Sequence, residues 1–147
     1  MVGPFFYRFF LLCGLAVTAV LSLVQLRPGR GQDLPESAYV SGVVGHPQTY
    51  VLSCESRSAA DWAAFWGVEV SELEFLDLLP RSDNPELGFV GEPGDYWGNI
   101  PPQSYGVHAE PVADLLRAYG LPAKARRGML WDELRVSLAT CSPPILP

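Results

Sequence analysis

The feature that most constrains this chain is an apolar run near its start, FFLLCGLAVTAVLSLVQL, over residues 9–26. Few of its 18 residues are polar, so the run is long enough to cross a bilayer as a helix. A core helix so uniformly apolar at the extreme N-terminus of a small protein would be unusual. We therefore predict a transmembrane or signal helix within residues 1–26, with Cys13 inside the bilayer.

A cleaved signal peptide and an uncleaved anchor are both compatible with this run. Only Arg8 precedes it, and LVQLRPGRGQD follows it without a small-x-small cleavage site, which slightly favours the anchor. Arg27 and Arg30 balance Arg8 and the α-amino group, so positive charge leaves the orientation open. We expect a membrane-anchored or exported protein, attached through residues 9–26, whose domain lies on the extracytoplasmic side.

Composition indicates one globular domain and excludes several classes of function. With 48% hydrophobic residues among 147, the chain can bury a core. A net charge of −6 without any Lys/Arg run argues against a nucleic-acid partner. The three cysteines and two histidines form no CxxC or HxxxH pair, so no metal is expected. No glycine loop that would cradle a phosphate is present, and no cofactor is predicted.

A linker separates the apolar run from the folded domain. Residues 27–38, RPGRGQDLPESA, are rich in Gly, Pro and charge, which is typical of a solvated spacer. The domain is expected over residues 39–147, beginning with a short strand or extended segment in AYVSGVV. Residues 81–108 hold five glycines and four prolines without periodicity and are predicted to form a long ordered loop.

Two helices are predicted in the first half of the domain. The first begins close to Cys54, with Ser53 as its N-cap, and ends at Gly67. The second begins with the capping box SELE at residues 71–74 and stops before Pro80. The apolar residues predicted to face the core are Ala59, Trp62, Ala63 and Trp66 in the first helix and Leu73, Leu76 and Leu79 in the second.

Two further helices are predicted after the loop. The third runs from about Pro111 to Gly120, and the fourth covers roughly residues 131–139. Their apolar faces are Val112, Leu115, Leu116 and Tyr119 in the third helix and Trp131, Leu134 and Leu138 in the fourth.

Cys54 is the candidate nucleophile. A thiol at a helix N-terminus lies at the positive end of the helix dipole, which favours the thiolate and lowers the pKa. Gln48, six positions earlier, could supply an amide that stabilises an oxyanion together with the backbone N–H of Cys54. Two plainer alternatives stay open, a small buried thiol and a disulfide with Cys141 in an exported domain.

Several segments together resemble a known family. HPQTYVLSCESRSAADWAAFWGVEVSELEFLDLLPRSDNP, GFVG, WGNIPPQSYGVHAEPVADLLRAYGL and RRGMLWDEL are similar to the bacterial peptidase family C thirty-nine-like proteins, over about residues 40–139. The resemblance implies an α+β domain containing the helical lobe of a papain-like cysteine peptidase fold. It also implies Cys54 as the nucleophile, Gln48 as the oxyanion-hole donor, and a peptide or protein substrate.

The chain departs from the family pattern at its end. Family members carry the general-base histidine and its orienting Asp or Asn on strands after the fourth helix, whereas CSPPILP occupies the start of the first strand here. Loss of a general base or acid typically costs about 10²–10⁴-fold in rate. We therefore expect a truncated cysteine-peptidase-like domain over residues 39–147, with the β-sheet lobe largely missing. Its predicted function is hydrolysis of peptide bonds through a thiolate, incomplete or inactive as given. The alternative is a non-catalytic, membrane-tethered module that binds a peptide or protein.

Four further residues are predicted to line a cleft near Cys54. His46 lies eight positions before Cys54, and His108 lies 54 positions after it, where a contact at the entry of the third helix is the favoured interpretation. Trp97 and Tyr105 belong to the long loop and could line a substrate cleft. A loop held in place by its own aromatic side chains is an equally good interpretation of these two residues.

Overall fold

The computed structural model describes residues 34–146, which form a small, mixed but mostly helical domain. In this range β-structure is limited to two isolated bridges. All four predicted helices are confirmed, and the third begins two residues earlier than Pro111. The helices are α1 (Cys54–Phe65), α2 (Glu72–Leu78), α3 (Ala109–Ala118) and α4 (Trp131–Ala139).

The segment before α1 differs from the sequence prediction. The predicted transmembrane or signal helix and most of the linker lie outside the described residues. Among residues 34–146, no helix combines the length and the apolar character that crossing a membrane requires. The strand considered for AYVSGVV does not form, because the chain turns at Ser41 and Gly42. Gly42 has φ of +91°, a backbone conformation that interrupts an extended strand.

The core forms where α1 packs against α2 and α3. α1 contributes Ala59 and Ala63, which are fully buried and whose small side chains let the neighbouring helices approach closely. Phe75 of α2 and Leu116 of α3 belong to the same buried cluster. Burying a Phe or Leu side chain contributes about 1.5–3 kcal/mol, so this cluster holds the three helices together.

Local signals account for most of the helix ends. The Oγ of Ser71 accepts a hydrogen bond from the N–H of Glu74 at 3.1 Å, which confirms the predicted N-cap of α2. Gly67 follows α1 with φ of +80°, a left-handed conformation that glycine adopts without strain from a Cβ atom. The predicted side-chain cap of α1 is wrong. Ser53 occupies the N-cap position, but its Oγ donates to the carboxylate of Glu72 instead of accepting from the first turn.

Residues 81–108 form the ordered loop that the sequence predicts. An antiparallel bridge joins Val90 to Gly106, and Phe89 and Val90 are buried. The loop is therefore fixed at its base. The part beyond this bridge, residues 91–105, is called the aromatic loop below.

The helix tryptophans are less buried than their periodicity predicts. Trp62 is half-buried, packs against the core, and donates from Nε1 to the carbonyl oxygen of Pro143 at 2.7 Å. Trp66 is 42% exposed and Trp131 is 71% exposed, so the prediction that these two belong to the core is wrong. No residue of α4 is buried, because none of the other described helices packs closely against it.

Candidate functional site

Cys54 is the first residue of α1 and is exposed. Its Sγ donates a hydrogen bond to Oε2 of the neighbouring Glu55 at 3.1 Å. Partial burial of the sulfur, followed by the hydrogen bond and the negative charge of Glu55, raises the pKa of the Cys54 thiol to about 11. Backbone N–H groups at the helix start lower this pKa but do not outweigh those effects. The expected lowering of the pKa is therefore wrong, because partial burial of the sulfur and the adjacent Glu55 carboxylate together outweigh the effect of the helix start.

The side-chain amide of Gln48 is hydrogen-bonded within the turn that contains this residue. Its Nε2 donates to the carbonyl oxygens of Tyr50 at 2.8 Å and Val51 at 2.9 Å. A side-chain amide has two N–H hydrogens, and both have acceptors here. In this conformation Gln48 shapes the chain that leads into α1, and an oxyanion would have to compete with two backbone carbonyls for its amide.

His46 is bound to the middle of α1. Its backbone N–H donates to Oδ2 of Asp61 at 2.9 Å, and its Nδ1 lies 2.8 Å from Oδ1. Arg57 contacts the same carboxylate at 2.7 Å. Asp61 lies seven residues, about 10 Å along the helix axis, beyond Cys54. His46 therefore fixes the incoming chain to α1, and it makes no hydrogen bond to Cys54.

His108 is the N-cap residue of α3 and binds the loop that precedes this helix. Its Nδ1 lies 2.5 Å from Oε1 of Glu86, which also pairs with Arg127, and its Nε2 lies 3.3 Å from the hydroxyl of Tyr105. The structure thus brings Tyr105 and His108 together and places His108 at the start of α3. Within residues 34–146, neither imidazole is hydrogen-bonded to the Sγ of Cys54.

The base of the aromatic loop contacts residues within two positions of Cys54. The N–H of Leu52 donates to the carbonyl oxygen of Pro93 at 2.9 Å. At the other end, a Cβ atom on Gly106 would lie 2.9 Å from Oε1 of Glu55, so the backbone and this carboxylate are in close contact. One side of the loop base therefore meets Leu52, two residues before the thiol, and the other side meets Glu55, the residue after it.

Exposed apolar side chains occupy the middle of the aromatic loop. Trp97 is 79% exposed, and Tyr96 and Ile100 are exposed to a similar degree. Ser104 donates to Asp95 and accepts from the N–H of Glu92 at 3.0 Å, which closes the base of the loop. The predicted cleft residues Trp97 and Tyr105 therefore lie in different surroundings. Trp97 is on the open part of the loop, and Tyr105 is at its base against His108.

A buried polar network, which the sequence patterns did not predict, holds the segment before Cys54. Glu72 is 4% exposed, and its carboxylate accepts from the Thr49 N–H at 2.7 Å, the Thr49 hydroxyl at 2.8 Å and the Ser53 hydroxyl at 2.5 Å. Arg57 lies 3.9 Å from the same carboxylate. In the sequence, Glu72 is marked only by its position in the first turn of α2. Acidic residues are common there, so this position does not indicate a buried network.

Acid should destabilise the domain through the two buried carboxylates. Burial alone raises the pKa of Glu72, but hydrogen bonds from Ser53 and Thr49 outweigh it and hold the pKa below its usual 4.5. The carboxylate of Asp61 is bound by His46 and Arg57, and its pKa is likewise held below its usual 3.8. A pKa lowered by folding stabilises the native state above the unfolded pKa, and this contribution is lost as pH falls through the folded pKa.

We therefore expect the urea midpoint to be constant from about pH 7 to pH 5 and to fall steeply below about pH 4. In Glu72→Gln the acid-induced part of the fall should be smaller, because one of the two titrating carboxylates is gone. An unchanged midpoint down to about pH 3 would contradict the assignment.

Comparisons with known proteins find no match for this chain among protein-family models, curated proteins or solved structures. In the described part of the chain, no group of three or more His, Cys, Asp or Glu side chains is placed to hold a metal ion. The candidate site is therefore defined by its own geometry: an exposed thiol beside a carboxylate, bordered by the aromatic loop.

Proposed function

We propose that this domain is a cysteine-peptidase-like module that binds peptides without cleaving them. The observation that carries the proposal is the contact between Cys54 and Glu55, with the thiol pKa raised to about 11. A thiol peptidase needs a thiolate near neutral pH and a base that returns the proton to the leaving amine. Partial burial of the sulfur and the neighbouring carboxylate of Glu55 instead favour the protonated thiol.

Peptide binding is supported by the surface that borders this thiol. Tyr96, Trp97 and Ile100 are exposed on a loop whose base is fixed by the Val90–Gly106 bridge. Aromatic side chains on a fixed loop offer large apolar contact area at low cost in conformational entropy, which is the property that binding surfaces use. The loop lies beside Leu52 and Glu55, so a bound peptide would pass close to Cys54.

The finer parts of the proposal rest on the sequence. The resemblance of residues 40–139 supports a domain derived from the helical lobe of a papain-like fold. The apolar run over residues 9–26 supports a membrane tether or export signal, with the domain on the extracytoplasmic side.

A second candidate is an active thiol peptidase. It is favoured by one observation, the exposed position of Cys54 at the first residue of α1. On this candidate, bound peptide would be cut and the activity would disappear in Cys54→Ala.

Binding and cleavage can be measured together on the full chain in detergent micelles. A pool of fluorescein-labelled octapeptides should show saturable binding by anisotropy and no cleavage products by mass spectrometry. Trp97→Ala should weaken binding about tenfold, because a central aromatic anchor is lost. Cys54→Ala should leave binding unchanged.

Trp131→Ala is the matched control, because Trp131 is also a largely exposed tryptophan but lies on α4, outside the aromatic loop. Equal losses in the two tryptophan variants would contradict the assignment of the binding surface. Cleavage that depends on Cys54 would establish the second candidate instead.

A further inference from the structure

The start of α4 carries large apolar side chains that remain exposed in the described structure. Leu130, the N-cap residue, is 69% exposed, and Trp131, the first residue of the helix, is exposed to the same degree. Adjacent large apolar side chains left in water mark a contact surface more readily than isolated ones do. This end of α4 is therefore a candidate contact surface, and the chain around it indicates what it contacts.

The start of the described chain is bound to the same helix. Nη2 of Arg135 donates a hydrogen bond to the carbonyl oxygen of Pro35 at 3.3 Å. Arg135 lies four positions after Trp131, so the two side chains are on the same face of α4, about one turn apart. Trp131 is therefore on the face of α4 that holds the chain where it leaves the linker.

The length of the linker limits how far this face of α4 can lie from the apolar run over residues 9–26. Eight residues, 27–34, separate Leu26 from Pro35. Even a fully extended chain of this length spans only about 30 Å, which is similar to the thickness of the hydrocarbon core of a bilayer. Insertion of the apolar run into a bilayer would therefore keep Pro35, and the face of α4 that binds it, close to the membrane surface.

The charge around this apolar pair suits a bilayer with anionic headgroups. Residues 124–135 hold four basic and two acidic side chains, whereas the whole chain has a net charge of −6. Lys124, Arg126 and Arg127 are exposed; Arg126 pairs with an acidic residue of this stretch, and Arg127 pairs with Glu86 outside it. Basic side chains next to a tryptophan are typical of segments that lie in the interface of an anionic bilayer.

We propose that the start of α4 docks on the surface of an anionic bilayer. Leu130 and Trp131 enter the headgroup region, and the basic side chains just before them contact lipid phosphates. An indole ring suits this position, because it combines an apolar body with a polar N–H group. This inference rests on the proposed membrane tether and adds a second contact with the same bilayer, made by the folded domain itself.

The test is quenching of tryptophan fluorescence by brominated lipid, with the full chain reconstituted into vesicles of phosphatidylcholine and phosphatidylglycerol. Bromine placed near the headgroup end of the acyl chains quenches only those tryptophans that reach the interface. Residues 1–26 contain no tryptophan, so the emission comes from the domain alone. Brominated vesicles should lower the emission of the wild-type chain relative to unbrominated vesicles. In Trp131→Phe the quenched fraction should be about fivefold smaller, because the interfacial indole is gone.

Trp97→Phe is the matched control, because Trp97 is also largely exposed but lies on the aromatic loop, and it should retain the wild-type quenching. Vesicles without phosphatidylglycerol should quench the wild-type chain about twofold less, because the basic side chains lose their anionic partners.

Unchanged quenching in Trp131→Phe, or its loss in Trp97→Phe instead, would overturn the inference. No quenching of a chain that stays with the vesicles after an alkaline wash would also overturn it while leaving the tether intact. Equal quenching without phosphatidylglycerol would overturn the role assigned to the basic side chains. A chain that the alkaline wash removes from the vesicles would overturn the tether itself, and this inference with it.

Discussion

Iodoacetamide is expected to alkylate Cys54 about 20-fold more slowly near pH 8 than it alkylates an ordinary exposed thiol. With a pKa of about 11, roughly one Cys54 side chain in a thousand is a thiolate near pH 8, against roughly one in four for a free cysteine. The thiolate of a weaker acid is the stronger nucleophile, which recovers about tenfold of this deficit. Mass spectrometry of the alkylated peptides resolves the rate at Cys54 from the rates at the other cysteines.

The pH dependence gives the sharper measurement. The rate at Cys54 should rise about tenfold per pH unit until the pH approaches about 11. Glu55→Gln should move this midpoint downward, because the acceptor's charge is removed, although partial burial of the sulfur remains. Glu69→Gln serves as the control, since its exposed carboxylate makes no hydrogen bond or ion pair within the described range. A wild-type midpoint below about pH 8 would contradict the structure and restore an activated nucleophile.

The alkylation result also bears on the choice between binding and catalysis. Partial burial of the sulfur is the largest cause of the raised pKa of Cys54, and the hydrogen bond and charge of Glu55 add to it. A slow alkylation with a midpoint near pH 11 would therefore support binding without cleavage, whereas fast alkylation near neutral pH would support the thiol peptidase.

The helices could be predicted from sequence because their signals are local. Ser71 caps α2 as the SELE pattern indicates, and Gly67 ends α1 because the turn requires a positive φ. These two features depend on residues within about one helical turn of one another. The start of α1 at Cys54 was also predicted, although the Ser53 side chain expected to cap the helix binds Glu72 instead.

The electrostatics of the site depend on tertiary contacts and could not be predicted in the same way. The sequence places the charge of Glu55 beside Cys54, but the partial burial of the sulfur, which raises the thiol pKa most, comes from tertiary packing. The dipole of α1 alone predicts the opposite direction, because it includes neither this burial nor the charge of Glu55. The exposed position of Trp131 has a related cause, because periodicity indicates the apolar side of a helix but not whether another element covers it.

Glu72→Ala is expected to destabilise the domain by about 3 kcal/mol, because it removes one member of a buried charged network. The substitution leaves the Thr49 N–H, the Thr49 hydroxyl and the Ser53 hydroxyl without their acceptor. It also removes a negative charge that lies 3.9 Å from Arg57. Urea denaturation followed by tryptophan fluorescence measures the loss, since Trp62 packs against the affected helices.

Glu69→Ala is the control for this measurement, because its exposed side chain makes none of these contacts and should change stability by less than about 0.5 kcal/mol. Glu72→Gln should lie between the two, since its amide oxygen can accept one or two of the three hydrogen bonds but cannot neutralise Arg57. The rate of Cys54 alkylation should also change most in Glu72→Ala, less in Glu72→Gln and least in Glu69→Ala. The reason is that Glu72 holds Thr49 and Ser53 in the segment that leads into α1. Loss of stability without any change in the alkylation of Cys54 would show that the network supports the core but does not position the thiol.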